Sequence, residues 1–281
     1  MFDSNNSSAP KIVCDVADCS VPAVIATAKK AISAGADVIH INVSRIDYTC
    51  VDELAPIFSR INVPILASNR RSAFFHVYGE GSFTPRQESD EQRTNILLDC
   101  VSMGCSGIDI EFDTFHDHPL NKSIDDEAAA GLGSRDLGPV GDVSFSDDVC
   151  ERQKEFIAKI QAAGARVILS SHTSRPVSAE EACILERAAA ERGADFFKLI
   201  VRTKKAEDDD EIIRAALQLR RSSSIPYIIY PLGDRSLATR AALFLLGGAW
   251  VLGQENYVPT GFDQQPLVDL LPPLVRILKA R

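Results

Sequence analysis

The sequence predicts an α/β fold, a single (β/α)8 barrel, from three observations. The first is a recurring punctuation in which a helical stretch ends in glycine, a short link follows, and an apolar run comes next. It occurs as AGADVIHINV from Ala34, MGCSGIDIEF from Met103, AGARVILSSH from Ala163, RGADFFKLIV from Arg192 and GGAWVLGQ from Gly247. A glycine just past a helix takes the left-handed conformation that stops it. The second is the character of the runs, which are short, unbroken and rich in β-branched and aromatic residues, as strands buried on both faces are. The third is the count. Eight strand-helix units fit in 281 residues, near the ~250 of a typical barrel.

Taken in order, KIVCDV supplies the first strand at 11–16, and the others are predicted at 37–43, 64–69, 107–112, 166–172, 195–201, 225–232 and 249–254. Two of them, PILASN from Pro64 and IPYIIYPL from Ile225, begin at a proline boundary instead of a glycine. Amphipathic stretches at 21–34, 51–60, 89–103, 150–163, 178–192, 208–221, 235–247 and 265–279 predict the helices between them. Strict alternation favours a closed barrel over an open doubly wound sheet. No G-x-G-x-x-G follows the first strand, which removes the usual dinucleotide-binding reason for the open form. Residues 1–281 read as one domain with two long connections, 71–88 and 113–149. Both follow strand ends on the face where such barrels carry their chemistry.

A formal net charge of −9 argues against nucleic acid or an anionic membrane as the main partner. The seven cysteines include no C-x-x-C pair and read as free thiols of a reducing compartment. Residues 1–10 are polar and lack the apolar stretch of a secretory leader, and no apolar run approaches the ~20 residues of a membrane span. The expected location is the cytoplasm.

Lys198 stands inside the apolar run Phe196-Phe197-Lys198-Leu199-Ile200-Val201. Lysine is almost never fully buried without a partner. Either its stem snorkels to the barrel end, or it is a desolvated amine able to attack a carbonyl and form an imine. His172 ends the preceding strand. Alone it reads as a structural histidine, but beside Lys198 it supplies the acid/base group an imine needs for elimination or aldol chemistry. Asp109 and Glu111 share a face of strand four by the period-two rule. They are either a hydrogen-bonded core pair or carboxylates that orient and tune the basic groups. Arg70, at the end of strand three, either binds substrate oxygens, pairs with Glu111, or lies on the surface beside Arg71. His116 and His118 form an H-x-H without matching ligands elsewhere, so no metal is expected.

These residues carry a resemblance to the type I 3-dehydroquinate dehydratases. Its most specific parts are Gly107-Ile108-Asp109-Ile110-Glu111, Ser170-Ser171-His172 with Pro176-Val177-Ser178-Ala179-Glu180-Glu181, and Gly193-Ala194-Asp195-Phe196-Phe197-Lys198. The resemblance implies a barrel lyase without cofactor, in which Lys198 forms an imine with a cyclic β-hydroxy keto acid and His172 moves protons during loss of water. It places the family's strand-three arginine at Arg70, its carboxylate-binding arginine at Arg240, and its C-terminal serine and glutamine at Thr260 and at Gln264 or Gln265. The departures lie on the side that holds the ring hydroxyls. The family's Glu-x-Arg on strand two reads His40-Ile41-Asn42, and the glutamate after the strand-three arginine reads Phe74. A substrate altered from 3-dehydroquinate, of secondary metabolism, is therefore expected. The alternatives are an aldolase or cyclase acting through the same imine, and a non-catalytic metabolite sensor like the dehydroquinase-like domain of a fungal quinate-pathway repressor. Retention of both Lys198 and His172 weighs against the sensor. Exposed barrel helices commonly support a homodimer.

Overall fold

The computed structural model describes residues 10–71, 86, 88–117, 137–138, 140–173, 175–233, 236–256 and 265–279. Eight parallel strands form one sheet: β1 (Lys11–Val16), β2 (Val38–Asn42), β3 (Ile65–Ser68), β4 (Gly107–Glu111), β5 (Arg166–Thr173), β6 (Phe196–Arg202), β7 (Tyr227–Leu232) and β8 (Trp250–Gly253). Their order, β7-β6-β5-β4-β3-β2-β1-β8, follows the chain around a nearly closed barrel. Ala249 N–H spans the remaining seam to the carbonyl of Tyr227 at 2.8 Å, while its own carbonyl accepts from Lys11 N–H at 3.0 Å. The molecule is a (β/α)8 barrel, as the sequence predicts.

Eight α-helices are described: α1 (Val21–Ala34), α2 (Ala55–Arg60), α3 (Asp90–Ser102), α4 (Asp147–Ala162), α5 (Ala179–Glu191), α6 (Ala206–Ser222), α7 (Ser236–Leu245) and α8 (Leu271–Lys279). The helix-ending glycines 35, 104, 164, 193 and 247 all have positive φ, between 86° and 117°, which a side chain would strain. Boundaries differ from the sequence reading where polar capping outweighs apolar periodicity. α4 begins three residues early because Ser146 Oγ accepts from Val149 N–H and Asp147 and Asp148 occupy its first turn, where the helix dipole favours acids. The predicted helix 51–60 divides into a 3-10 turn, Val51–Leu54, and α2, which has a proline in its first turn.

The interior has an apolar floor and a polar upper layer. Phe196 on β6 meets Trp250 on β8 across the interior, with ring centroids 4.9 Å apart. Two residues further along β6, Lys198 begins the polar layer, level with Ser170 on β5. Among the described residues no helix is long and apolar enough to cross a membrane. The long connections 71–88 and 113–149 fall largely outside the described residues.

Candidate active site

Lys198 is 5% exposed, so its amine does not snorkel to solvent. Its Nζ donates to Asp109 Oδ2 at 2.8 Å. Arg70 Nη2 lies 2.8 Å from the same oxygen, and Arg70 Nη1 lies 3.2 Å from Glu111 Oε1. Ser170 Oγ donates to Asp109 Oδ1 at 2.6 Å and accepts from Arg70 Nη1 at 3.1 Å. Burial alone would push the Asp109 carboxyl up. The charges of Arg70, Lys198 and His40 outweigh it and hold this group below the usual carboxylate range. For Arg70, burial acts downward, but Asp109 and Glu111 raise its pKa above the ordinary value. A second guanidinium completes the layer. Arg93, on α3, reaches Glu111 Oε2 at 3.4 Å and Asp90 Oδ1 at 3.2 Å, and donates to the Asn69 carbonyl at 2.8 Å. Every buried charge in this cluster has an opposite neighbour, which is the condition for tolerating charge in a low-dielectric interior.

His172, also 5% exposed, is held by Asp142. Its backbone N–H donates to Asp142 Oδ1 at 2.6 Å, and its Nδ1 lies 3.2 Å from Asp142 Oδ2. Burial, reinforced by the positive charges of Arg70 and Lys198, drives the imidazole pKa well below the ordinary histidine range. Burial and the neighbouring Asp113 push Asp142 upward. Through Nδ1 and the backbone N–H, Asp142 fixes the orientation of the ring. Arg192 fixes the segment that carries Asp142. Lying over the ring faces of Phe112 and Phe145, it donates to the Ser144 carbonyl at 2.6 Å, the Phe112 carbonyl at 3.2 Å and Gln153 Oε1 at 2.6 Å.

A third group comes from the first three strands. Asp15 Oδ1 lies 2.8 Å from His40 Nδ1, and His40 Nε2 lies 3.0 Å from Ser68 Oγ. Gln265 Nε2 donates to the other oxygen of Asp15 at 3.3 Å. Asn42 Oδ1 accepts from Ser44 N–H, Ser44 Oγ–H and Arg70 N–H at 3.3, 2.7 and 3.3 Å, so its oxygen shapes the strand end. Arg240, on α7, donates from Nε to the Pro231 carbonyl at 3.0 Å and lies over the Tyr230 ring at 4.5 Å. His116 Nδ1 lies 3.2 Å from Ser144 Oγ. Phe74, Thr260, Gln264 and His118 lie outside the described residues.

The fold thus brings Lys198, Asp109, Glu111 and Arg70 into one cluster and sets His172 at the end of the adjacent strand. Asp15, Ser68, Ser170, Arg93 and Asp142 escaped the sequence reading. Asp15 had a signal, being a lone carboxylate in an apolar strand like Asp109. Asp142 had none, because it lies in a long connection without periodicity.

A family profile described as Type I 3-dehydroquinase matches residues 141–256, which hold Asp142, His172, Lys198 and Arg240. The 3-dehydroquinate dehydratase of Methanobrevibacter smithii is 33% identical over 140 residues, 49% of this chain and 58% of that protein. The Geobacillus thermodenitrificans dehydratase is 31% identical over 111 residues, 38% of this chain and 43% of that protein. The chain thus spans about half the length of the curated relatives it matches. The barrel of the Clostridium difficile type I 3-dehydroquinate dehydratase superposes with a TM-score of 0.74 at 17% identity, over 98% of this chain and 95% of that one.

The match to the type I dehydroquinase family is confined to residues 141–256, less than half of the chain. The family profile covers β5 to β8 and stops short of β1 to β4. His172 and Lys198 lie inside it. His40 and Asn42, on β2, lie outside it. Asp15, His40 and Ser68 join on the side of the barrel that the profile does not cover.

Proposed function

We propose that the chain is a lyase of the dehydratase type that acts through a lysine imine on a cyclic β-hydroxy keto acid. The observation that carries this reading is Lys198, buried on β6 against Asp109, with His172 on the neighbouring strand kept neutral by burial and oriented by Asp142. In this mechanism the unprotonated Lys198 amine attacks the ketone, and water leaves as the imine forms. His172 Nε2 removes the proton α to the imine carbon. The electron pair moves toward the imine nitrogen, then returns to expel the β-hydroxyl, which departs as water. Hydrolysis frees the conjugated enone. The imine itself is the electron sink, so the reaction calls for no further cofactor. Arg70 and Arg240 are the cations suited to substrate oxygens, Arg240 to a carboxylate.

The dehydratase names of the relatives support the reaction class, and the Clostridium difficile protein was solved with covalent modified comenic acid. His40 and Asn42 replace a charged pair on the hydroxyl-binding side, which favours a ring less hydroxylated than that of 3-dehydroquinate. The seven free thiols fit a cytoplasmic enzyme.

Borohydride reduction with 3-dehydroquinate and with less hydroxylated cyclic β-hydroxy keto acids, read by intact mass and peptide mapping, tests the reading. An adduct on Lys198 is expected, absent in Lys198→Ala and kept in His172→Ala, which turns over slowly. Full activity in Lys198→Ala would sink the imine.

A further inference from the structure

The strand order places β2 four strands from β6, and β1 four strands from β5. The Asp15–His40 pair therefore faces Lys198 and His172 across the barrel. The two walls also feel one another. Burial pushes the carboxyls of Asp15 and Asp109 up, but nearby positive charges hold both below the usual range. Lys198 is among those acting on Asp15, and His40 among those acting on Asp109.

The pair has the form of an acid–base unit. An ionised Asp15 accepts from His40 Nδ1–H at 2.8 Å, which fixes the ring and leaves Nε2 turned to Ser68 Oγ at 3.0 Å. Gln265, brought from the far end of the chain, binds the second oxygen of Asp15. The Asp15 side chain is 31% exposed while that of His40 is 8% exposed, so the array runs from the solvent side inward to a fully buried Ser68. A carboxylate, an imidazole and a hydroxyl in line can pass a proton in either direction.

We propose that Asp15, His40 and Ser68 form a second acid–base unit, which delivers the proton to the departing hydroxyl while His172 takes the α-proton. The inference rests on the reading of Lys198 as the imine-forming residue. The step balances as follows. The C–H proton goes to His172 Nε2, and the C–H electron pair becomes the new C=C bond. The C–O bond breaks with its electrons on oxygen. That oxygen takes the Ser68 hydroxyl proton, Ser68 takes the Nε2 proton of the imidazolium, and His40 regains a proton from solvent. The two proton transfers of the elimination are thereby served from opposite walls.

The test separates α-proton exchange from loss of water. Excess enzyme is mixed with 3-dehydroquinate in deuterium oxide. Deuterium uptake α to the ketone is followed by mass, enone formation by ultraviolet absorbance, and the Lys198 adduct by borohydride reduction. In His40→Gln the adduct should remain and exchange should stay within about threefold of wild type, while elimination falls about 100-fold, the lower end of the general acid–base range. Ser68→Ala, a smaller change, should shift the same ratio in the same direction. His172→Ala should lose exchange and elimination together. Because the ratio is read only on molecules that form the adduct, poor folding of one variant does not imitate the result. Parallel loss of both processes in His40→Gln and Ser68→Ala, no loss in either, or a wild-type adduct that exchanges without losing water would overturn the second unit and leave the imine standing. Absence of a wild-type adduct on Lys198 with 3-dehydroquinate and with less hydroxylated cyclic β-hydroxy keto acids alike would overturn both.

Discussion

Lys198 and Arg70 reach for the same atom: Nζ of one and Nη2 of the other each lie 2.8 Å from Asp109 Oδ2. One carboxylate therefore holds two buried cations apart from each other and in place. Asp109→Asn removes that charge without changing the shape. It should cost about 3–5 kcal/mol of stability, the usual penalty for an uncompensated buried charge. Urea denaturation measures it, and a variant as stable as wild type would show that the cations do not depend on Asp109.

The His172–Asp142 pair predicts a pH dependence. His172 acts as a base when neutral, and its pKa is depressed below the ordinary value of about 6.5. Activity should therefore hold from neutral pH to below about 6.5 and decline only further into acid. For stability the sign is the same. Below about pH 6.5 the unfolded histidine binds a proton that the folded one does not, so stability is lost as pH falls. Asp142→Asn should misorient the ring, lower kcat by at least about tenfold and move the acid limb. A pH profile of kcat/KM with an unmoved limb would count against Asp142 as a positioning residue.

Asp15, Asp90 and Asp109 all have carboxyls held below the usual range. Their contribution is complete above the unfolded value of about 3.9 and is lost as pH falls through the lower folded values. Denaturation midpoints should fall steeply below about pH 4, and Asp90→Asn should make that fall shallower.

Arg240 offers a guanidinium whose Nε is already fixed by the Pro231 carbonyl. Arg240→Ala should weaken productive use of an acidic substrate by about 2–5 kcal/mol, while Arg240→Lys recovers only part because it lacks the planar fork. Steady-state kcat/KM decides it. An unchanged value would mean that the substrate carboxylate binds elsewhere.

The cysteines should divide by burial. Cys19 and Cys50 are exposed, while Cys14, Cys100 and Cys105 are buried. Burial pushes the Cys14 and Cys105 thiols up to about 12, leaving almost no thiolate at neutral pH. Iodoacetamide at pH 8 should label Cys19 and Cys50 first and reach the three buried thiols only on unfolding, as mass mapping would report.

By itself the sequence determined what local periodicity and chain stereochemistry can encode. The eight strands lie where unbroken apolar runs stand, and glycines 35, 104, 164, 193 and 247 end their helices in the left-handed region. Lys198 and His172 were legible because a polar residue in or at the end of an apolar strand is costly, and because consecutive strands are neighbours in a barrel. Only the tertiary structure decided which polar groups meet. Asp142 reaches His172 from a connection 30 residues away, Arg93 reaches Glu111 from a helix, and Gln265 meets Asp15 across 250 residues when the barrel closes. Closure pairs these side chains by geometry, since each buried charge must find an opposite or a donor nearby. Partners that lie far along the chain leave no trace in its local pattern.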